Sequence, residues 1–322
     1  MKNSTQKELY IKHQVVDVAI VTVCRNGYKD TCRLIDSLQK YVKSVTYRIV
    51  VVDDYSVENE AKMLLKKYPN IKAIRTSESK GYASACNIGK NLVDSRYVLY
   101  IKNDTYVDDD ILHPWLEAIA EAGTLVVSTP LILKATDERS IEFAGSSGLT
   151  KCLLSRKMYH VGKAVEDVEL RTCSIPYLNN VAMMIHRETF KEMGGPSKVY
   201  RDGYEDLDWS NLLVANGYKV LFVPSVRIYH GKMEEDCRSE QEAIYNKVLG
   251  RLLFIYRNRI GKTQSWAHIY TLCCVCPRFI RWRYFFSDWM TVYHAINTYY
   301  QMSEDDKMDS THYRFSFFLP SR

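Results

Sequence analysis

Residues 15–26 read VVDVAIVTVCRN and residues 48–56 read RIVVVDDYS. Both are continuous β-branched runs without polar alternation, which suits strands buried on both faces of a sheet. Both stop abruptly on polar clusters, Cys24-Arg25-Asn26 and Asp53-Asp54-Tyr55-Ser56. A third run, RYVLYIK at 96–102, stops in the same way at Asn103-Asp104-Thr105. Between them, Leu34, Ile35, Leu38 and Val42 recur at helical spacing, 58–68 reads as a helix, 71–75 as a short strand, and 83–93 as a helix introduced by Gly81. Strands alternating with helices of this length predict an α/β domain, a mostly parallel sheet with covering helices.

Farther along, 125–133 and 181–186 read as strands, and 138–163 as loops with a hairpin. Residues 204–215 read as a helix closed by Asn216-Gly217, and 218–223 as a strand ended by Pro224. After His230 the pattern turns helical, aromatic and basic to about 301, with nine Lys/Arg against two acids between Arg238 and Arg283. The expected organisation is an N-terminal extension (1–14), an α/β domain (15–235), a helical C-terminal subdomain (236–302) and a tail (303–322). The net charge of +6 is mild, and without a recognition helix or an aromatic RNA-binding signature it gives no reason to expect a nucleic-acid partner. No apolar run approaches the ~20 residues of a spanning helix. Nine scattered cysteines, several within apolar runs, suit a reduced, cytoplasmic setting. One C-x-x-C, Cys273 and Cys276, has no second pair and is a weak zinc signal.

Ligands of open α/β sheets bind outside the carboxyl ends of the strands, and an acid following a buried strand must be solvated, paired or ligand-bound. Three polar clusters on one edge therefore mark a candidate site. Neither a G-x-G-x-x-G nor a G-x-x-x-x-G-K-[ST] loop is present. A nucleotide held here would rely on a divalent cation bridging its phosphates. Glu205-Asp206-Leu207-Asp208 is either an acid-rich first helical turn, stabilised by roughly 0.3–1 kcal/mol per charge, or the source of a catalytic base.

In order, VAIVTVCRN (18–26), VVDDYS (51–56), KGYASACNIGKN (80–91), YVLYIKNDTYV (97–107), GYEDLDWSNLLVANGYKVLFVP (203–224) and IYHG (228–231) resemble the inverting family 2 glycosyltransferases of the GT-A fold, most of all a bacterial rhamnosyltransferase branch. The resemblance implies a Rossmann-like sheet carrying a nucleotide-sugar site. Asp54, with Asp53 and Ser56, would hold base and ribose, and Thr22 and Cys24 would lie near the base. Gly81 and Asn87 would pack under the donor. Lys102-Asn103-Asp104 occupies the Asp-x-Asp position, with Lys102 replacing the first acid. Asn103 would touch the donor, and Asp104 and His230 would hold Mg²⁺ or Mn²⁺. Asp206 would be the base, tuned by Glu205, and Asp208 and Trp209 would face the acceptor. An arginine common one turn later in the family is Leu212 here.

The expected activity is transfer of a sugar, rhamnose from dTDP-rhamnose first and otherwise another hexose from a UDP or dTDP donor, to a surface-polysaccharide or lipid-linked acceptor at the inner face of the cell membrane. A catalytically inactive nucleotide-binding or scaffold subunit of a glycan assembly complex is the alternative, favoured by Lys102 and Leu212. In the C-terminal third, Trp266, Trp282, Phe286 and Trp289 surround Arg278, Arg281 and Arg283. That mixture suits membrane-surface contact, packing on the catalytic domain, or a homo-oligomer interface.

Overall fold

The computed structural model describes residues 15–231, 233 and 240–309. The extension at 1–14, the last part of the tail (310–322) and Cys237 lie outside the described residues. The chain runs β1 (Val16–Cys24), α1 (Tyr28–Tyr41), β2 (Tyr47–Asp53), α2 (Glu60–Lys67), β3 (Lys72–Arg75), α3 (Tyr82–Gly89), β4 (Ser95–Ile101), β5 (Thr105–Tyr106), α4 (Leu112–Ala122), β6 (Val126–Lys134) and β7 (Asp137–Phe143). It continues through β8 (Cys173–Ile175), β9 (Ala182–His186), α5 (Arg187–Met193), α6 (Glu205–Ala215) and β10 (Lys219–His230). Four helices end it: α7 (Glu240–Asn258), α8 (Gly261–Tyr270), α9 (Phe285–Gln301) and α10 (Glu304–Met308).

One sheet takes the order β3-β2-β1-β4-β9-β6-β10-β5, with β7 beside β6 and β8 beside β10. The pairs β1–β2, β2–β3, β1–β4 and β6–β10 are parallel, and β9 runs antiparallel between β4 and β6. The unbroken apolar runs are why β1, β2 and β4 lie in the middle: Ile20, Val51 and Leu99 are fully buried. Two expectations are corrected. The helix expected over 83–93 ends at Gly89, because Arg187 Nη2 takes the Lys90 carbonyl at 3.0 Å and Nε the Ser95 carbonyl at 2.8 Å. The strand expected to stop at Pro224 runs on to His230. A register shift between Val223 and Arg227 absorbs the proline, whose missing N–H is tolerated at a bulge.

The C-terminal helices share a second apolar cluster with the catalytic half, in which Leu154, Tyr177, Tyr200 and Leu207 meet Val248, Leu252 and Phe254 of α7. Cys276 is buried in this cluster while Cys273 is exposed. Among the described residues no helix is long and apolar enough to cross a membrane.

Candidate active site

Strand register brings the expected residues to one edge. Because β9 opposes β4 with Ala182 across from Ile101, residues 180–181 reach the carboxyl end of β4. There the Lys102 amide donates to the Val181 carbonyl at 2.9 Å, and the Tyr82 hydroxyl donates to the Asn180 carbonyl at 3.2 Å. Asn180 Nδ2 in turn donates to Glu205 Oε1 at 3.1 Å. Residues 102–104 and the first turn of α6 are thus joined through one short segment. On the other side His230 pairs in register with Thr105, and the Gly231 amide donates to the Asp104 carbonyl at 2.9 Å.

Asp104 Oδ1 lies 3.4 Å from His230 Nε2, and Glu142 Oε1 of β7 lies 2.8 Å from His230 Nδ1. Desolvation pulls the imidazole pKa down, but the bonds to Asp104 and Glu142 outweigh it and push it up to about 9. Arg33 of α1 steadies the pair by donating to the backbone carbonyls of Asp104, at 3.3 Å, and of Gly231. A carboxylate and an imidazole whose far nitrogen is fixed by a second carboxylate fit a divalent cation, whose binding would have to displace the proton from Nε2 of the ring. No group of three His, Cys, Asp or Glu side chains able to hold an ion exists among the described residues, so further ligands would have to be diphosphate oxygens or water.

The acids at the start of α6 are buried, Glu205 at 1% exposure and Asp206 at 6%. Burial first, then the charges of Asp206 and Asp202, raise the Glu205 carboxyl to about 7. Burial also raises Asp206, against the pull of Arg156, of the Leu207 amide and of Lys102. Lys102 rests over the Tyr82 ring at 5.9 Å and Arg156 over Tyr177 at 5.9 Å. Two cations held on aromatic faces therefore flank the carboxylate. The residue before the pair, Tyr204, is left-handed at φ 72°, a conformation that costs a non-glycine residue on the order of 1 kcal/mol. Packing holds it there: its ring lies 5.6 Å from Phe254, and a Cβ at Gly250 of α7 would sit only 3.0 Å from it. Such a strained residue beside a buried acid pair fixes where the pair points.

Other expected site residues are placed differently. The Asp54 carboxylate accepts from the Lys80 amide at 2.7 Å, Ser79 Oγ at 3.0 Å and the Gly81 amide at 3.1 Å. It closes the loop after β3 over the strand ends. Gly81, at φ 84°, lets that loop touch Arg201, whose Cα and carbonyl oxygen lie 2.8 Å from where a Cβ would stand. Asp53 accepts from the Ser56 and Ala61 amides, and Ser56 Oγ accepts from the Asn26 amide. Thr22 and Cys24 are fully buried in the sheet. Asn103 Nδ2 points to Thr31 Oγ1 at 3.1 Å, and Asn87 Nδ2 ties α3 to the Pro196 carbonyl at 2.7 Å. Two acceptor expectations need correction. Asp208 is gripped by Arg257 Nη2 at 3.0 Å and Asn258 Nδ2 at 2.6 Å, both from α7. Trp209 is fully buried and stacked on Phe190 at 5.5 Å, so its face is closed to a sugar.

Sequence reasoning missed Arg33, Glu142, Arg156, Asn180 and Arg257. None lies in a recognisable motif. Each acts across a separation no local pattern reports, such as 88 residues for Glu142 and His230 and 49 for Arg257 and Asp208.

Comparison with known proteins bears on the family and the fold. The chain is 21% identical over 204 residues to the N-acetylglucosaminyl-diphospho-decaprenol L-rhamnosyltransferase of Mycobacterium tuberculosis (strains CDC 1551 / Oshkosh and ATCC 25618 / H37Rv), an alignment covering 57% of this chain and 66% of the relative. The matched region thus falls just short of two thirds of the relative's length. Among solved structures it is similar to GalNAc-T7 with UDP, GalNAc and Mn²⁺ (TM-score 0.58, 18% identity, 80% of this chain and 54% of that one). It is also similar to S. aureus TarS 1–349 (TM-score 0.52, 13% identity, 87% of this chain and 79% of that one). At these identities the structures establish the GT-A fold and nothing more. The glycosyl transferase family 2 profile matches residues 19–193, more than half of the sequence, and the chain therefore belongs to glycosyl transferase family 2.

Proposed function

We propose that the protein is an inverting, metal-assisted glycosyltransferase that moves a hexose from a nucleoside diphosphate to a lipid-linked glycan at the cytoplasmic face of the cell membrane. The observation that carries the reading is the buried Glu205-Asp206 pair, stitched through Asn180 to the edge that presents Asp104 and His230. Asp104 and His230 would hold the cation, which when bound neutralises charge on the leaving diphosphate. Asp206 accepts the proton of the acceptor hydroxyl as the new glycosidic bond forms. Glu205, raised to about 7, stays largely protonated in mildly acidic solution and spares Asp206 a second adjacent charge. Lys102 and Arg156 pull Asp206 toward its ionised form. The departure at Lys102 therefore serves the base and does not argue for an inactive subunit. Leu212, buried at 7% exposure, belongs to the core. With Cys24 buried, contact with the donor base passes to Tyr55, exposed at the end of β2 with Arg75 over its ring at 5.3 Å.

The mycobacterial relative, named as a rhamnosyltransferase acting on a diphospho-decaprenol, supports dTDP-rhamnose as the first donor to try and a polyprenyl-diphosphate glycan as acceptor. The test is Asp206→Asn assayed with a panel of dTDP- and UDP-sugars. Transfer should fall by about 10²–10⁴-fold, the usual worth of a general base, while the donor still protects against thermal unfolding. Near-normal turnover in the variant would reject the assignment.

A further inference from the structure

The helix α9 carries an apolar arc that the fold does not use. At about 100° per residue, Phe286, Trp289, Tyr293 and Tyr300 fall within an arc of about 60°. The buried Asp288, Val292, Ala295 and Tyr299 form a separate arc centred about 120° away. The first arc faces solvent: Phe286 is 75% exposed, and Trp282 in the turn just before is 93% exposed. Trp289 and Tyr293 stack at 5.7 Å, which presents a flat aromatic surface outward. Between Ile260 and Met302 the sequence holds one acid, Asp288. That acid is buried and bound by Arg281 at 3.0 Å. Lys262, Arg278 and Arg283 of the same stretch are exposed. Exposed aromatic patches of this kind mark interaction sites. Amphipathic rings flanked by Arg278 and Arg283, with the exposed Glu240 of α7 paired to Arg281 at 2.7 Å, match the boundary of an anionic lipid layer.

We propose that Trp282 and the Phe286–Trp289–Tyr293–Tyr300 arc of α9 dock the protein on an anionic bilayer surface, the rings entering the headgroup boundary and Arg278 and Arg283 meeting lipid phosphates. The proposal deepens the reading of a lipid-linked acceptor and rests on it for its purpose. It also gives the enzyme a fixed orientation, because α9 packs on α7 and Arg257 of α7 holds Asp208, two residues past the candidate base.

The test is co-sedimentation of the full chain with vesicles of phosphatidylcholine alone and of phosphatidylcholine mixed with phosphatidylglycerol, with donor hydrolysis measured in parallel. The wild type should bind the mixed vesicles more tightly and lose that preference at high salt. W282S/F286S should partition about tenfold more weakly or worse, as expected for two large rings left out of an apolar phase, while its circular dichroism and hydrolysis stay unchanged. A wild type that stays in the supernatant with both vesicle types, whether a second copy or residues 310–322 cover the arc, would overturn the proposal. So would a variant that sediments like the wild type. Vesicle binding by a protein without any hydrolysis would leave the docking surface standing and overturn the transferase reading instead.

Discussion

Replacing Glu205 by glutamine should make the fold more stable, and only above a certain pH. Glu205 is 1% exposed and its carboxyl is raised to about 7 from an ordinary 4.5. Between those two values the unfolded chain is ionised at this residue while the native protein keeps the proton. The native state then binds more protons, so its stability falls as pH rises through this window. A gap of about 2.5 pH units at about 1.4 kcal/mol each gives a contribution of about 3 kcal/mol, present below pH 4.5 and gone above pH 7. Glutamine keeps an oxygen for Asn180 Nδ2, now at 3.1 Å, and has no proton to lose. Urea unfolding of wild type and Glu205→Gln at pH 5 and pH 8 reads the effect. The variant should gain up to about 3 kcal/mol on the wild type at pH 8 and under 1 kcal/mol at pH 5. An equal difference at both pH values, or a loss at pH 8, would show that Glu205 is ionised in the native protein and would remove it as the neutral neighbour of Asp206.

Three further outcomes are expected. Glu142→Gln should weaken Mn²⁺-dependent stabilisation by UDP or dTDP about 10–100-fold in metal concentration, as losses around a metal ligand usually do, read by thermal shift across a metal titration; an unchanged titration would separate Glu142 from the role of fixing His230. Arg257→Ala leaves Asp208 buried without the guanidinium that spans both its oxygens, and urea unfolding should show a loss of about 3–5 kcal/mol. The double change Arg257→Met with Asp208→Leu should recover most of it. Gly81→Ala should lower the unfolding midpoint and weaken donor binding, because a Cβ there collides with the Arg201 backbone at 2.8 Å; unchanged donor affinity would show that the Asp54-clamped loop takes no part in the site.

The elements that could be read from sequence are those whose cause is local. The continuous apolar runs of β1, β2 and β4 announce double burial, and Asn216-Gly217 announces the end of α6. Pro224 misled because the strand bulges at 224–226 and then resumes its pairing with β6 at Arg227, a continuation that depends on the partner strand and not on the segment alone. The acids divide in the same way. That Asp54, Asp206 and Asp208 need partners follows from the buried runs around them. Which partner each finds does not. Asp54 meets its own loop, Asp208 meets an arginine 49 residues on, and Asp206 keeps the company of cations from two distant segments. Trp209 shows the same limit, since an aromatic after an acid cluster reads alike whether it lines a cleft or fills a core.

The grip of Arg257 on Asp208 also bears on how this enzyme could be dissected or recombined. The family-matched stretch ends at residue 193, before the helix that carries the acids. A chimera cut at the last strand would keep those acids but strand a desolvated aspartate without its counter-ion. Grafting the turn that presents Asp206 should therefore move α6 and α7 as one piece, since that turn is inherited together with the helix behind it.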